Sequence, residues 1–202
     1  MENIKEEWKS FFYKTLIAFG EIPESELKKG LVYLKHLHLL KNEYFIKAGD
    51  IPDKMAFIAS GIFRVFYITE NGDEKTLVFR EEGRMLSAYS SFLENKTAWF
   101  YIQALEESDL LYLSFNDYQK IMKGHQCWRD INAKYTEMLF IEKEKRESEF
   151  LSDDAKTRYE KFIIKYPGIE NRINQYHIAS YLGITPVALS RIKRKILENR
   201  KS

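Results

Sequence analysis

One cysteine, Cys127, stands in the 202 residues. Alone it cannot close an intramolecular disulfide, and it cannot hold an iron–sulfur cluster or a Cys-type zinc site. It reads as a small buried hydrophobe. No run approaches the ~18–20 apolar residues of a membrane span. The opening stretch Met1-Glu2-Asn3-Ile4-Lys5-Glu6-Glu7 is acidic and carries no signal-peptide apolar segment. A cytoplasmic protein with no membrane partner is therefore expected. No Walker loop, no Gly-x-Ser-x-Gly and no metal-ligand cluster appears, so neither an enzyme nor a cofactor is expected. The pairs Glu81-Glu82 and Asp153-Asp154 fit a turn and a helix start rather than acid–base partners. His36 and His38 share one face of a strand pattern; without further ligands they read as polar positions on a half-exposed strand. There are no internal repeats.

Charge is present but unevenly spread. Residues 153–202 hold eleven Lys or Arg against five Asp or Glu, while residues 1–152 hold 21 against 25. A basic C-terminal module on an acidic body points to a polyanionic partner for the tail end.

That basic module contains a helix-turn-helix pattern from Gln175 to Ile192. Ile178, Leu182, Ile184, Leu189 and Ile192 form the apolar seam, and Ala179 is small where two helices would touch. Gly183 permits the turn. Thr185 suits the N-cap of the second helix and Pro186 its first position. The second helix then carries Ser190, Arg191, Lys193, Arg194 and Lys195.

Upstream, residues 3–19 read as a helix with Trp8, Phe11, Phe12, Leu16 and Phe19 on one side. Pro23-Glu24-Ser25-Glu26 opens a second helix. From Leu37 the period changes to that of strands. Met55–Ser60, Ile62–Thr69, Glu74–Arg80, Trp99–Leu105 and Leu110–Ser114 are strand candidates, with Glu70-Asn71-Gly72-Asp73 as a hairpin turn. Short strands at regular spacing predict an antiparallel sandwich or barrel. Asp117–Gly124 reads as a short helix and Trp128–Leu151 as a long one. On the long helix Ile131, Tyr135, Met138, Leu139 and Glu142 lie on one stripe. At about 23 residues it would run ~35 Å, longer than a small β domain covers. A coiled coil with a second copy of the chain is expected through that stripe. Ser152 is the expected hinge, and Ser152-Asp153-Asp154 would cap a helix over Ala155–Lys165, which Pro167-Gly168 ends.

This order, with its motifs, resembles the Crp–Fnr superfamily of bacterial transcription regulators. Lys47-Ala48-Gly49-Asp50, Phe57-Ile58-Ala59-Ser60-Gly61 with Arg64 downstream, and Asn71-Gly72 before Lys75 look like the β-roll of cyclic-nucleotide-binding domains. Ile178 to Pro186 and Leu189-Ser190-Arg191 look like the DNA-binding motif of one subgroup. The resemblance implies an α+β fold with three parts. Residues 1–127 would be a jelly-roll sensor, 128–152 a dimerisation helix and hinge, and 153–202 a helix-turn-helix without a wing. It implies double-stranded DNA and a second copy of the chain as partners, and allows RNA polymerase as another.

The same resemblance places an effector pocket around Phe79, Leu86, Ser87, Ala88, Tyr89, Ser90, Thr97, Ala98 and Trp99. Nucleotide-binding members carry a Glu for the ribose and an Arg for the cyclic phosphate in this cassette. Here the Glu position is Ala88, and Thr97-Ala98-Trp99-Phe100-Tyr101 holds no Arg. A buried phosphate needs a charge-assisted donor, so cyclic AMP is not the expected effector, and the effector stays unidentified. The pocket could be filled by the chain's own aromatics (Phe79, Tyr89, Trp99, Tyr101) or hold a less charged ligand. Matching the motif, Thr185, Pro186, Val187, Ser190 and Arg191 face DNA bases, with Arg191 as the guanine reader. Lys193, Arg194 and Lys195 serve phosphates, as do Gln175 and His177. A ligand-sensing module that signals through protein contacts, with a degenerate tail, is the alternative from another class.

Overall fold

A computed structural model describes residues 4–199. Among them α1 (Glu6–Ile17) and α2 (Glu24–Leu31) come first. The strands β1 (Lys35–Leu39), β2 (Tyr44–Ile46), β3 (Lys54–Ser60), β4 (Phe63–Ile68), β5 (Glu74–Arg80) and β6 (Met85–Leu86) follow. After α3 (Tyr89–Leu93) come β7 (Tyr101–Ala104) and β8 (Ser108–Ser114). The remainder is helical: α4 (Phe115–Lys123), α5 (Gln126–Ser152), α6 (Ala155–Lys165), α7 (Gln175–Leu182) and α8 (Pro186–Asn199), with a 3₁₀ turn at Ile169–Asn171. The chain divides into two units. One joins Met1–Val65 to Phe79–Phe140; the other joins Phe66–Val78 to Ile141–Ser202.

The strands form two four-stranded sheets, ordered β1-β8-β3-β6 and β2-β7-β4-β5. The central strand β3 is buried on both faces because its residues alternate between two cores. Ala56 and Ile58 point inward with Phe45, Ile46, Phe63, Phe100, Ile102 and Leu110. Phe57 and Ala59 point outward to a second cluster with Phe12, Leu16, Leu111, Trp128 and Ile131. The antiparallel partner β8 alternates in step, with Ile58 opposite Leu110 and Phe57 opposite Leu111. The rings of Phe11 and Phe12 both meet Phe57 edge-on at 5.2 Å, which seats α1 on the sheet. Burying several such aromatics stabilises by roughly 1.5–3 kcal/mol per side chain.

Gly61 marks the closest backbone approach in this unit. Its φ is 109°, and a Cβ there would lie 2.0 Å from Ser108 Oγ. The Glu70–Asp73 turn is a hairpin as expected, with Gly72 at φ 83° and Thr69 N–H donating to Asp73 O at 2.9 Å. The elements absent from the sequence reading are β6, α3 and the 3₁₀ turn. Each is too short to show a hydrophobic period.

Candidate functional site

The second unit is built around α6, α7 and α8. Asp154 caps α6 by accepting the Thr157 N–H at 2.8 Å, which holds its carboxyl below the usual carboxylate range. Phe162, Tyr166 and Tyr181 form a ring triangle with centroids 5.3–5.9 Å apart. These rings fix α7 on α6. Asn174 caps α7 by accepting the Tyr176 N–H at 2.8 Å. At the other end Gly183 adopts φ 69°, and its N–H and that of Ile184 return to Ser180 O and Ala179 O. This double capture closes the helix. Thr185 Oγ1 accepts the Ala188 N–H at 3.2 Å, and Pro186 is the first residue of α8. Ile178, Leu182 and Leu189 are completely buried and Ala179 nearly so.

With that seam fixed inward, the helical repeat puts Val187, Ser190, Arg191 and Arg194 on one exposed face. Thr185 and Pro186 are exposed at its N-terminal end, and Gln175 is exposed at the start of α7, with His177 half-buried two residues on. Ser190 Oγ donates to Pro186 O at 3.1 Å, which leaves its oxygen able to accept. Lys193 departs from this group. It lies on the flank of α8, half-buried, with Nζ 2.8 Å from Glu170 Oε1, a carboxylate that also accepts from Tyr159 OH. Sequence reasoning gave no signal for that pairing, because Glu170 sits in the short 3₁₀ turn.

The residues named for an effector pocket do not gather into one lining. Leu86, Ala88 and Ala98 lie inside the β-roll core, beside Phe45, Phe63 and Phe100. Phe79 is buried, Ser87 and Tyr89 are half-buried, and Ser90, Thr97 and Trp99 are exposed. Of the four aromatics weighed as a filling of the interior, Phe79 is buried, whereas Trp99 is exposed; Phe45, Phe63 and Phe100 lie in the roll core. Trp99 is 59 % exposed: it precedes β7 and alternates with the buried Phe100 and Ile102. Tyr101 meets Tyr44 at the sheet surface at 5.9 Å. Tyr89 turns toward Tyr118, with the hydroxyls 3.1 Å apart, and Tyr118 OH donates to Asn132 Oδ1. Phe92 stacks on Phe115 at 3.7 Å. These contacts tie α3 to α4 and α5. In α3 the Ser91 hydroxyl is buried with no hydrogen-bond partner.

On α5 the expected dimer stripe faces its own chain in the first unit. Ile131 is buried in the outer core, Tyr135 OH accepts the Met85 N–H at 3.0 Å, and Met138 Sδ receives Arg84. Leu139 and Glu142 are half-buried. The opposite helix face, about 180° away, carries Ala133, Thr136, Phe140 and Leu151, all exposed. At the free edge of the sheet, His36 Nε2 and His38 Nδ1 both donate to Asp109 Oδ1, at 2.8 and 3.0 Å.

The described residues thus form a two-core roll, a long helix and a basic helical unit. Residues 36–125 match the family model described as the cyclic nucleotide-binding domain. Solved structures extend the likeness over most of the chain. The c-di-GMP-responsive global regulator CLP of Xanthomonas campestris shares 12% identity over 88% of this chain and 93% of its own, with TM-score 0.69. FixK2 from Bradyrhizobium japonicum shares 17% over 82% and 85%, with TM-score 0.68. The catabolite activator protein of Thermus thermophilus shares 20% over 92% and 87%, with TM-score 0.55. The chain has the fold of these neighbours. A search of curated proteins finds no match. No described helix is long and apolar enough to cross a membrane.

Proposed function

We propose that this chain is a sequence-specific DNA-binding transcription regulator that acts as a homodimer on palindromic sites. The observation that carries the reading is the exposed face of α8. Val187, Ser190, Arg191 and Arg194 project together from a helix whose buried side is locked to α7, beside a capped and glycine-terminated turn. Such a helix enters a major groove with its N-terminal residues at the base edges. Arg191 offers a bidentate donor to guanine. Pro186 and Val187 offer only apolar contact, so discrimination rests on Arg191, Ser190 and DNA deformability. Arg194 and Lys195 meet phosphates, with Lys193 held alongside by Glu170.

A second copy of the chain packs on α5. The inward stripe is engaged within its own unit, so the contact centres on the exposed Phe140, flanked by Leu139 and Ile141 (63 % exposed for Phe140, 49 % for Ile141). Burying three such side chains from each copy supplies the apolar centre a dimer needs.

Cyclic AMP is not the effector in this reading. Ala88, at the position of the cassette Glu, and Ala98 occupy an apolar core. The fold itself is compatible with other ligands, since CLP is responsive to c-di-GMP. The unpartnered Ser91 hydroxyl suits a neutral polar group better than a phosphate.

Selection from a random double-stranded DNA pool tests the central part. Wild-type protein is expected to enrich a palindrome. Arg191→Ala is expected to lose about 1–3 kcal/mol and to flatten preference at one base pair per half-site. Arg194→Ala is expected to weaken all sequences alike. An unchanged motif for Arg191→Ala would remove it as the base reader. Failure of the wild type to enrich any sequence would favour signalling through protein contacts.

A further inference from the structure

We propose that the second unit holds a binding site for a phosphate group, in a cleft between the C-terminal half of α5, α6 and the end of α7. The cleft encloses about 50 Å³ and is lined by Arg146, Arg158, Lys161, Lys165, Glu149 and the rings of Phe162 and Tyr181. A water needs ~10–15 Å³ measured the same way, so the space suits a few waters or one tetrahedral oxyanion. Four of the lining side chains are cationic and one is a carboxylate.

The two arginines carry the argument. Arg146 donates to Tyr181 O and lies 3.7 Å from the centre of the Tyr181 ring. Arg158 donates from Nε to Leu182 O at 3.2 Å and from Nη1 to Asp153 O at 2.6 Å. Every one of these acceptors is a carbonyl. Carbonyls satisfy N–H groups and complement the end of α7, but they carry no net charge. Among the described residues, neither guanidinium meets a carboxylate. A guanidinium has five donors; one is used on Arg146 and two on Arg158. The wall's one carboxylate, Glu149, lies 3.7 Å from Lys161, which is also bound by Asp153 at 2.7 Å. The carboxylates beside Lys161 are thus gathered on that lysine, and the two arginines face carbonyls alone. Planar guanidinium donors with charge to spare match phosphate oxygens bidentately.

The site is separate from the β-roll cassette and from the exposed face of α8. A phosphate bound there would join three helices around the Ser152–Asp154 connection, with the source either free inorganic phosphate or a small phosphomonoester.

The full chain would be titrated calorimetrically with inorganic phosphate and, separately, with glycerol phosphate, at ionic strength held constant by chloride. The expected result is saturable binding at one site per chain for at least one of the two, and the tighter of them names the source. Lys165→Glu is expected to weaken it at least tenfold. Because Arg146 and Arg158 also cap α7, their variants could lose the fold. Hydrogen exchange of the wild-type chain gives a second readout, with phosphate slowing exchange across residues 146–165. Heats no different from those of added chloride, or unchanged affinity in Lys165→Glu, would overturn the proposal. So would loss of DNA affinity in Lys165→Glu without any phosphate binding to the free chain, which would assign these cations to the DNA backbone.

Discussion

Replacing Gly183 with alanine tests the turn on which the placement of α8 depends, and the structure fixes two separable costs. Gly183 sits at φ 69°, where an L side chain pays roughly 1–2 kcal/mol. A Cβ there would also lie 2.7 Å from Phe150 Cζ and 2.9 Å from Cε2. That ring is half-exposed and can shift, so its displacement is at the low end of overpacking penalties, about 1 kcal/mol. Gly183→Ala should therefore cost about 2–3 kcal/mol. All three tryptophans lie outside this unit, so hydrogen exchange over residues 175–199 is the suitable assay. Opening should become some 30–150-fold more frequent, at tenfold per 1.4 kcal/mol. In a Phe150→Ala background the same substitution should cost only the backbone part, leaving a coupling of about 1 kcal/mol. Exchange unchanged by Gly183→Ala would refute the left-handed turn. Equal costs in both backgrounds would refute the contact with Phe150.

Phe140→Asp should turn a dimer into a monomer in sedimentation, whereas Tyr135→Phe should leave the dimer intact; the reverse pattern would restore the inward stripe as the interface. Calorimetry should show no micromolar binding of cyclic AMP, and such binding would overturn the reading of Ala88 and residues 97–101 as a cassette without its Glu and Arg. The His38–Asp109 contact should make pairing of β1 with β8 depend on pH. The hydrogen bond to Asp109 raises the His38 imidazole above its ordinary 6.5, helped by the charges of Asp109, Glu107 and Glu43. Burial pushes Asp109 up, but hydrogen bonds from His38 and His36 outweigh it and hold the carboxyl below 3.8. The His38 contribution is complete below pH 6.5 and fades as pH rises through the raised value. The Asp109 contribution is present above 3.8 and fades as pH falls through the lowered one. Exchange in residues 35–39 should thus be slowest, after correction for intrinsic rates, between about pH 4 and 6.5. Asp109→Asn should remove that dependence.

Elements with a strong period or a cap were legible in the sequence. The short apolar run in Met55–Ser60, the Asn71-Gly72 turn and the Thr185-Pro186 start of α8 each carried a local physical signal, and each stands where it was expected. Side-chain direction on α5 was not legible. Ile131, Tyr135 and Met138 are apolar at helical spacing whether they face a second copy or their own sheet, and only the packing of Met85 and Arg84 against them decides. Periodicity finds a stripe without naming what covers it. The interior of the roll was not legible for a related reason: Trp99 precedes β7 by two residues, on the parity of the outward Tyr101 rather than of the buried Phe100 and Ile102. Lys193 and the arginine cleft depended on contacts 23 to 35 residues apart in sequence, for which no spacing rule exists.

The central claim is that two copies of this chain read one palindrome with paired α8 helices. Hydroxyl-radical footprinting on the site enriched from random DNA, with the mass of the complex measured in parallel, tests it most directly. Two chains per duplex should protect two patches centred one helical turn apart, ~34 Å, with major groove facing the protein at each. A single protected patch with one chain per duplex, or uniform protection without register, would contradict it.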